Sequence, residues 1–372
     1  MHYQGYRSYA ELTAHLDAEK LSLDLLKENL KRKYVVLIEG GHSQENLVYK
    51  DAAPDEERGI LSIADSFDKM GLNYRKLLST DVHVRDHLAI ADLTFIYAHG
   101  EYGEDGRLQG WLDYLNVAYP GPGLSASALC SDKLHFKYVI RGAGISTPEF
   151  FSIEKRESFG SLVTKAESLG YPVMLKDRRG GSSLGITLIA DRHEMKTWYT
   201  SHQGDDLNKY FIEKFIDGEF ATVGIIRLDS GYYVLPVLTA STEARFYDAA
   251  TKLGKEGNNV SFTLESGFDP DAILEIRNIA WEAFTSTECE GIGRVDIMIS
   301  DGKYYVLEIN TIPGISRNSN FTAMFTSLGF TYDELILAVI NTAYSKRKDT
   351  HCGYETVKRT RLSESGLDKR VA

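Results

Sequence analysis

Alternation of apolar and polar positions is clearest from Gly293 to Gly314, GRVDIMISDGKYYVLEINTIPG, where Val295, Ile297 and Ile299 interleave with Arg294, Asp296 and Met298. Period-two alternation marks a strand with one covered face, and Asp301-Gly302 between two such runs is a hairpin turn, so the stretch predicts two antiparallel strands. Continuous apolar runs at YVVLI, ending at Ile38, and from Asp92 to Ile96 predict buried strands. The first runs into Gly40-Gly41, the usual start of a doubly wound α/β unit. YPVMLKD at 171–177 and FIEKFIDGE at 211–219 add further strands, and FATVGIIRL and YYVLPVLTA read as the rest of that central sheet. Helical spacing marks residues 1–33, with Leu12, Leu16, Leu21, Leu23, Leu25 and Leu26 among many charges, and predicts a helix packed on the body or on a partner subunit. A second amphipathic helix is predicted from Thr331 to Lys346, followed by a charged tail to Ala372. The fold class is α/β.

The 372 residues suffice for two or three domains, and 43% apolar residues for a sizeable core. A net charge of -11 argues against a nucleic acid recognised through a basic face. Cys130, Cys289 and Cys352 are odd in number and have no paired spacing, which indicates neither a disulfide framework nor a zinc site. No apolar run approaches the ~20 residues of a membrane span and no signal-peptide pattern opens the chain, so a cytoplasmic protein without a membrane partner is expected.

Chemistry concentrates at the hairpin. Period two puts Arg294 and Asp296 on one face of the first strand, and Glu308 and Asn310 on one face of the second. If the strands pair in that register, three oxygen ligands and a cation converge, a set that suits Mg2+. A surface hairpin with solvated charges would show the same alternation. The turn that follows, Asn310 to Gly314, could offer backbone N–H groups to an anion. Upstream, Gly100, Gly103, Gly106 and Gly110 imply a shaped loop at a site, with His99 at the strand end as a hydrogen-bonding residue, a ligand or a base. Lys176 before the Gly/Ser run Arg178 to Gly185 makes a plausible phosphate cradle of one cation and several N–H groups. No Walker motif is present, so nucleotide binding there would take place between two sheets.

The R-x-D strand, the E-x-N strand, the P-G turn with its following serine, and the run HGxxGEDGxxQG from His99 to Gly110 together resemble the D-alanine-D-alanine ligases of the ATP-grasp superfamily. The resemblance spans residues 34–345 and implies an ATP-grasp fold with an N-terminal Rossmann-like (preATP-grasp) domain. It divides the chain into a helical extension (1–33), a Rossmann-like substrate domain (34–130), a central ATP-grasp subdomain (131–218), a C-terminal catalytic domain (219–345) and a tail (346–372). Implied cofactors are ATP and Mg2+, with Mn2+ as a substitute. The metal would be held by Asp296, Glu308 and Asn310, and an oxyanion by Arg294 and the Gly314 N–H. Lys252 would act from the active-site loop. Glu45, His99 and Ser182 would bind the first amino acid, and Ser319 and Asn320 the second. Lys133 and Lys176 would reach nucleotide phosphates, Glu213, Phe215 and Ile216 the adenine, and Glu219 the ribose. Partners are then amino-acid-like small molecules, and the assembly a homodimer.

The implied activity transfers the ATP γ-phosphoryl group to a carboxylate, and an amine then attacks the acyl phosphate. Departures from the family bear on the substrates. Leu253 stands where the D-alanine enzymes carry a pocket-closing tyrosine, and Asn320 where they carry a leucine packed on a methyl group. A buried amide facing a methyl would cost roughly 1–3 kcal/mol, which suggests a more polar acceptor. Altered specificity is therefore expected, with a housekeeping peptidoglycan ligase as the alternative. A non-catalytic nucleotide-binding subunit is a third reading, disfavoured because all three metal-ligand positions are filled.

Overall fold

The computed structural model describes residues 9–40, 59–180, 185–242, 260–265 and 267–349, and three sheets form among them. The chain enters through α1 (Tyr9–Leu30) and then builds β1 (Tyr34–Glu39), α2 (Gly59–Met70), β2 (Asn73–Leu78), α3 (Val84–Ile90) and β3 (Leu93–Tyr97). The three strands are parallel in the order β2-β1-β3. Val35 and Leu37 enter one core and Val36 and Ile38 another, so β1 is covered on both faces and reads as an unbroken apolar run.

Helices α4 (Arg107–Tyr114), α5 (Leu124–Ser131) and α6 (Lys133–Gly142) lead into an antiparallel sheet of β4 (Phe150–Ser152), β5 (Val173–Asp177), β6 (Ile186–Ile189) and β7 (Tyr210–Lys214), ordered β4-β7-β5-β6. Helices α7 (Phe159–Leu169) and α8 (Arg192–Ser201) cover it through a core that includes Leu162, Val173, Met195 and Ile212.

The third sheet holds β8 (Glu219–Leu228), β9 (Gly231–Val234), β10 (Leu238–Thr242), β11 (Val260–Leu264), β12 (Ile292–Ser300) and β13 (Lys303–Asn310). Its order is β11-β10-β8-β12-β13, with β9 also paired to β8. FATVGIIRL and YYVLPVLTA therefore do not extend the sheet of YPVMLKD, as the alternation suggested; FATVGIIRL pairs with β12 of the carboxylate hairpin, and YYVLPVLTA, as β9 and β10, pairs with FATVGIIRL. Alternation fixes which face of a strand is buried and leaves its partner open. Helix α9 (Pro270–Ser286) lies on one face of this sheet, where Phe284 and Phe136 meet Val223, Val295 and Ile297. After α10 (Asn320–Thr326), α11 (Tyr332–Asp349) covers the other face, in a core shared with β1, α2 and α1. Thr331 and Glu334 form a capping box at the α11 start: Thr331 N donates to Glu334 Oε2 at 2.6 Å and Glu334 N to Thr331 Oγ1 at 3.2 Å.

The N-terminal helix packs on the body. Leu16, Leu23 and Leu30, spaced by seven, are buried. Buried Glu19 accepts the backbone N–H groups of Asp229 and Ser230 at 3.1 and 3.0 Å, which satisfies the turn between β8 and β9. The thiols of Cys130 and Cys289 are free, buried and 3.7 Å apart. No helix among the described residues is long and apolar enough to cross a membrane.

Candidate active site

The hairpin β12–β13 closes through Asp301 and Gly302, both with left-handed backbone (φ 50° and 68°), the conformation a two-residue turn requires. Its register sets Arg294 opposite Asn310 and Asp296 opposite Glu308, so the four polar side chains share one face. On the other side of β12, Asp296 is opposite Thr222 of β8. Asp296 is 1% exposed, and its carboxylate accepts from Arg294 Nε at 2.9 Å, Arg294 NH2 at 2.9 Å, Asn310 Nδ2 at 3.1 Å and Thr222 Oγ1 at 2.6 Å. The bidentate guanidinium and the two neutral donors compensate the buried charge.

Glu308 is opposite this group and next to α6. Lys133 Nζ lies 3.1 Å from Glu308 Oε2 and donates to Gly180 O at 2.6 Å. Two further contacts set that reach. Asp132 caps α6 by accepting from His135 N at 3.2 Å, and Arg178 Nε and NH2 hold the same carboxylate at 3.0 and 2.7 Å. Although burial pushes the Asp132 carboxyl up, these donors outweigh it and hold its pKa below the ordinary value. A cleft of about 440 Å³ opens here, lined by Lys133, Arg179, Gly180, Glu308 and Asn310.

Behind the cleft, Glu213 of β7 is buried between two ammonium groups. Lys176 pairs with its Oε1 and Lys137 with its Oε2. Burial pushes the Glu213 carboxyl up, and the two lysines more than offset it, so it is held below the usual range. Burial lowers Lys137 to about 8 against the opposing pull of Glu213. The neighbouring Lys176 charge adds to the lowering of Lys137. The sequence reading picked out Lys176 and Glu213 and missed Lys137. Its signal was the spacing Lys133, Lys137, one helical turn apart on one face of α6. Thr222 was also missed, because nothing local marks a threonine that meets an aspartate 74 residues away.

At the end of β3, His99 Nδ1 lies 3.4 Å from Glu104 Oε1, and the ring packs edge-on to Tyr97. Glu104 also accepts from Gly100 N at 2.7 Å, and Asp105 from Tyr102 N at 3.0 Å and Arg107 N at 3.2 Å. Both acids thus organise the glycine loop. Gly103 lets that loop close, since a Cβ there would fall 1.8 Å from Ala98 O.

Known proteins resemble this chain. The family model for the C-terminal part of D-ala D-ala ligases matches residues 139–341. The D-alanine–D-alanine ligase of Thermotoga petrophila is 32% identical over 317 residues, covering 84% of this chain and 98% of the relative. That of Thermotoga maritima is 34% identical over 264 residues, or 70% and 82% of the two chains. The chain belongs to the D-alanine–D-alanine ligase family. Among solved structures, the Bacillus anthracis D-alanine–D-alanine ligase complexed with ATP superposes with a TM-score of 0.69 at 25% identity, covering 85% of this chain and 99% of that one. The fold is accordingly ATP-grasp and the protein an ATP-grasp ligase.

Within the family frame, Lys133, Glu308 and Asn310 line the cleft, Arg294 and Asp296 lie beside them on the same face of the hairpin, and Lys176 pairs with Glu213. Phe215 and Ile216, half-buried, and Glu219, exposed, form the link from β7 to β8, where Phe215 N donates to Pro172 O at 3.4 Å. Gly314 lies in the turn after β13, its Cβ direction facing Ser319 Cβ at 3.9 Å. Ser319 caps α10, its hydroxyl accepting from Thr322 N at 3.4 Å. Asn320, next to it, is half-buried. Nothing in the sequence marks a partner for the Arg317 charge; in the fold it donates to Asp65 at 2.6 Å and stacks over Tyr332 at 4.2 Å. Glu45, Ser182, Lys252 and Leu253 lie outside the described residues.

Proposed function

We propose that this ligase joins a carboxylate to an amine at the expense of ATP, with the nucleotide held between the β4–β7 and β8–β13 sheets and two amino-acid-like substrates presented from the β1–β3 side. The observation that carries the reading is the pair Asp296 and Glu308, opposed in register on one face and flanked by Arg294, Asn310 and Lys133.

The donor set fits Mg2+, or Mn2+ in its place. Among the described residues no group of three His, Cys, Asp or Glu side chains gathers as a cage. Two carboxylates and an amide oxygen match an ion that binds through one or two carboxylates and takes its remaining ligands from phosphate and water. Asp296, Glu308 and Asn310 would hold it, and when bound it would neutralise charge on the transferring phosphoryl group. Lys133 exchanges Glu308 for phosphate oxygens as the nucleotide enters. Arg294, fixed by Asp296, is a preorganised donor toward the cleft for charge developing on the substrate carbonyl oxygen. The first carboxylate gains the γ-phosphoryl group to give an acyl phosphate. The amine of the second substrate attacks its carbonyl carbon, the C–O bond to phosphate breaks with its electron pair leaving on phosphate, and the nitrogen gives up a proton to leave the amide.

The relatives' shared name favours D-alanine for both substrates. Asn320, half-buried beside Ser319, favours a more polar second substrate. ADP release with ATP and Mg2+ across pairs of D- and L-amino acids, with mass spectrometry of the product, separates the two. D-alanyl-D-alanine at high turnover supports the first, and a product only with another pair supports the second.

A further inference from the structure

Lys137 is the most deeply buried lysine of the described chain that carries an ion pair, at 0% exposure, and no role assigned so far uses it. Its ammonium pairs with Glu213 Oε2 and donates to Thr147 Oγ1, while Thr147 Oγ1 donates to Val306 O at 2.7 Å. Ser146 O also accepts from Val306 N at 2.9 Å. Lys137 therefore ties the carboxylate of β7 to the middle of β13, two residues before Glu308, and so joins the two sheets that flank the proposed nucleotide site. The second cation on Glu213 is differently placed: the Lys176 side chain is 14% exposed, against 1% for Lys137.

Two cations on one carboxylate are more than the charge requires. If Lys176 alone paired with Glu213, its departure would leave a bare buried carboxylate, at a large desolvation cost. With Lys137 permanently in place, Lys176 can exchange Glu213 for a ligand oxygen while the carboxylate stays compensated. We propose that Lys137 is a positioning residue, the fixed counter-ion of Glu213 that releases the Lys176 ammonium to an incoming nucleotide phosphate. This rests on the ATP-site reading above. It adds that the site works by exchange of one of two counter-ions, with the other held by α6.

The test is ATP binding to the full chain by calorimetry, in native protein and in variants. Lys137→Met is expected to weaken ATP binding at least about tenfold, because Lys176 is retained on Glu213. Adding Lys176→Met to that variant should cost little more, since the second lysine is already out of play. Adding Glu213→Gln instead should restore affinity to that of Glu213→Gln alone, because removing the anion frees Lys176. Should Lys137→Met not fold, the neutral pair Lys137→Met/Glu213→Gln replaces it. That pair is expected to match Glu213→Gln in affinity and to remain sensitive to Lys176→Met. Additive losses for Lys137→Met and Lys176→Met, with no rescue by Glu213→Gln, would show a packing role and overturn the proposal. Native protein that binds no ATP would overturn the nucleotide reading itself, an outcome distinct from additivity among variants that bind.

Discussion

The guanidinium of Arg294 grips the carboxylate of Asp296, two residues along the same strand, through parallel hydrogen bonds of 2.9 and 2.9 Å. The pair sits on β12 between β8 and β13, just before the shift in β12–β13 register that falls between Asp296 and Ile297. Arg294→Ala removes two of the four donors to a buried carboxylate. It should lower stability by about 2 kcal/mol and reduce turnover roughly 100-fold, read from chemical denaturation and steady-state ADP release. Normal turnover would remove Arg294 from the chemistry.

Thr222→Val keeps the shape of a fully buried side chain and deletes the 2.6 Å donor to Asp296 Oδ1. Arg294 Nε still donates to that oxygen at 2.9 Å, so one of its two donors is lost; a hydrogen bond to a charged group is worth about 1.5–3 kcal/mol, and the melting temperature should fall. Turnover should drop with it, because the Asp296 carboxylate loses its lateral support. A fall in stability with no change in turnover would make Thr222 purely structural.

Glu19 tests the N-terminal helix separately from the site. Its carboxylate accepts from Asp229 N, Ser230 N and the Tyr233 hydroxyl, the last at 3.3 Å. Glu19→Ala should destabilise the fold by about 2–3 kcal/mol while leaving kcat unchanged, measured by urea unfolding beside the activity assay.

These side chains show where the sequence was legible. The hairpin could be read because every signal for it is local: alternation, Asp301-Gly302, and the polar pairs Arg294/Asp296 and Glu308/Asn310, each spaced by two. The glycine loop after β3 could be read for the same reason, from the spacing of Gly100, Gly103, Gly106 and Gly110. Pairing between distant segments could not. Alternation placed β8 and β10 in strands and assigned them to the wrong sheet. Arg317 looked like a spare charge until the fold brought Asp65 to it across 252 residues. Lys137 and Thr222 look ordinary in sequence, and only burial next to Glu213 and Asp296 gives them a role.

Acid should weaken the α6 start through Asp132. Burial raises its carboxyl pKa, but Arg178 and the His135 N–H lower it by more, so the folded value lies below the ordinary aspartate value of 3.8. A depressed carboxyl contributes stability that is fully present above the unfolded pKa and is lost as pH falls through the folded one. The native chain should therefore lose stability as pH drops below 3.8, and Asp132→Asn should show a shallower loss over that window, read by urea unfolding against pH. Identical slopes would mean that the Arg178 contact does not hold the carboxylate in its charged form.

The central claim is that the opposed carboxylates of β12 and β13 support ATP-dependent amide formation. Its most direct test is ADP release in the presence of amino-acid pairs, with the product weighed, for native protein and for Asp296→Asn. Native protein should release ADP only when amino acids are present and yield a product whose mass is that of the two substrates less water, and Asp296→Asn should lose at least about 100-fold of that rate. ATP binding without amino-acid-dependent ADP release, or near-normal turnover in Asp296→Asn, would contradict it.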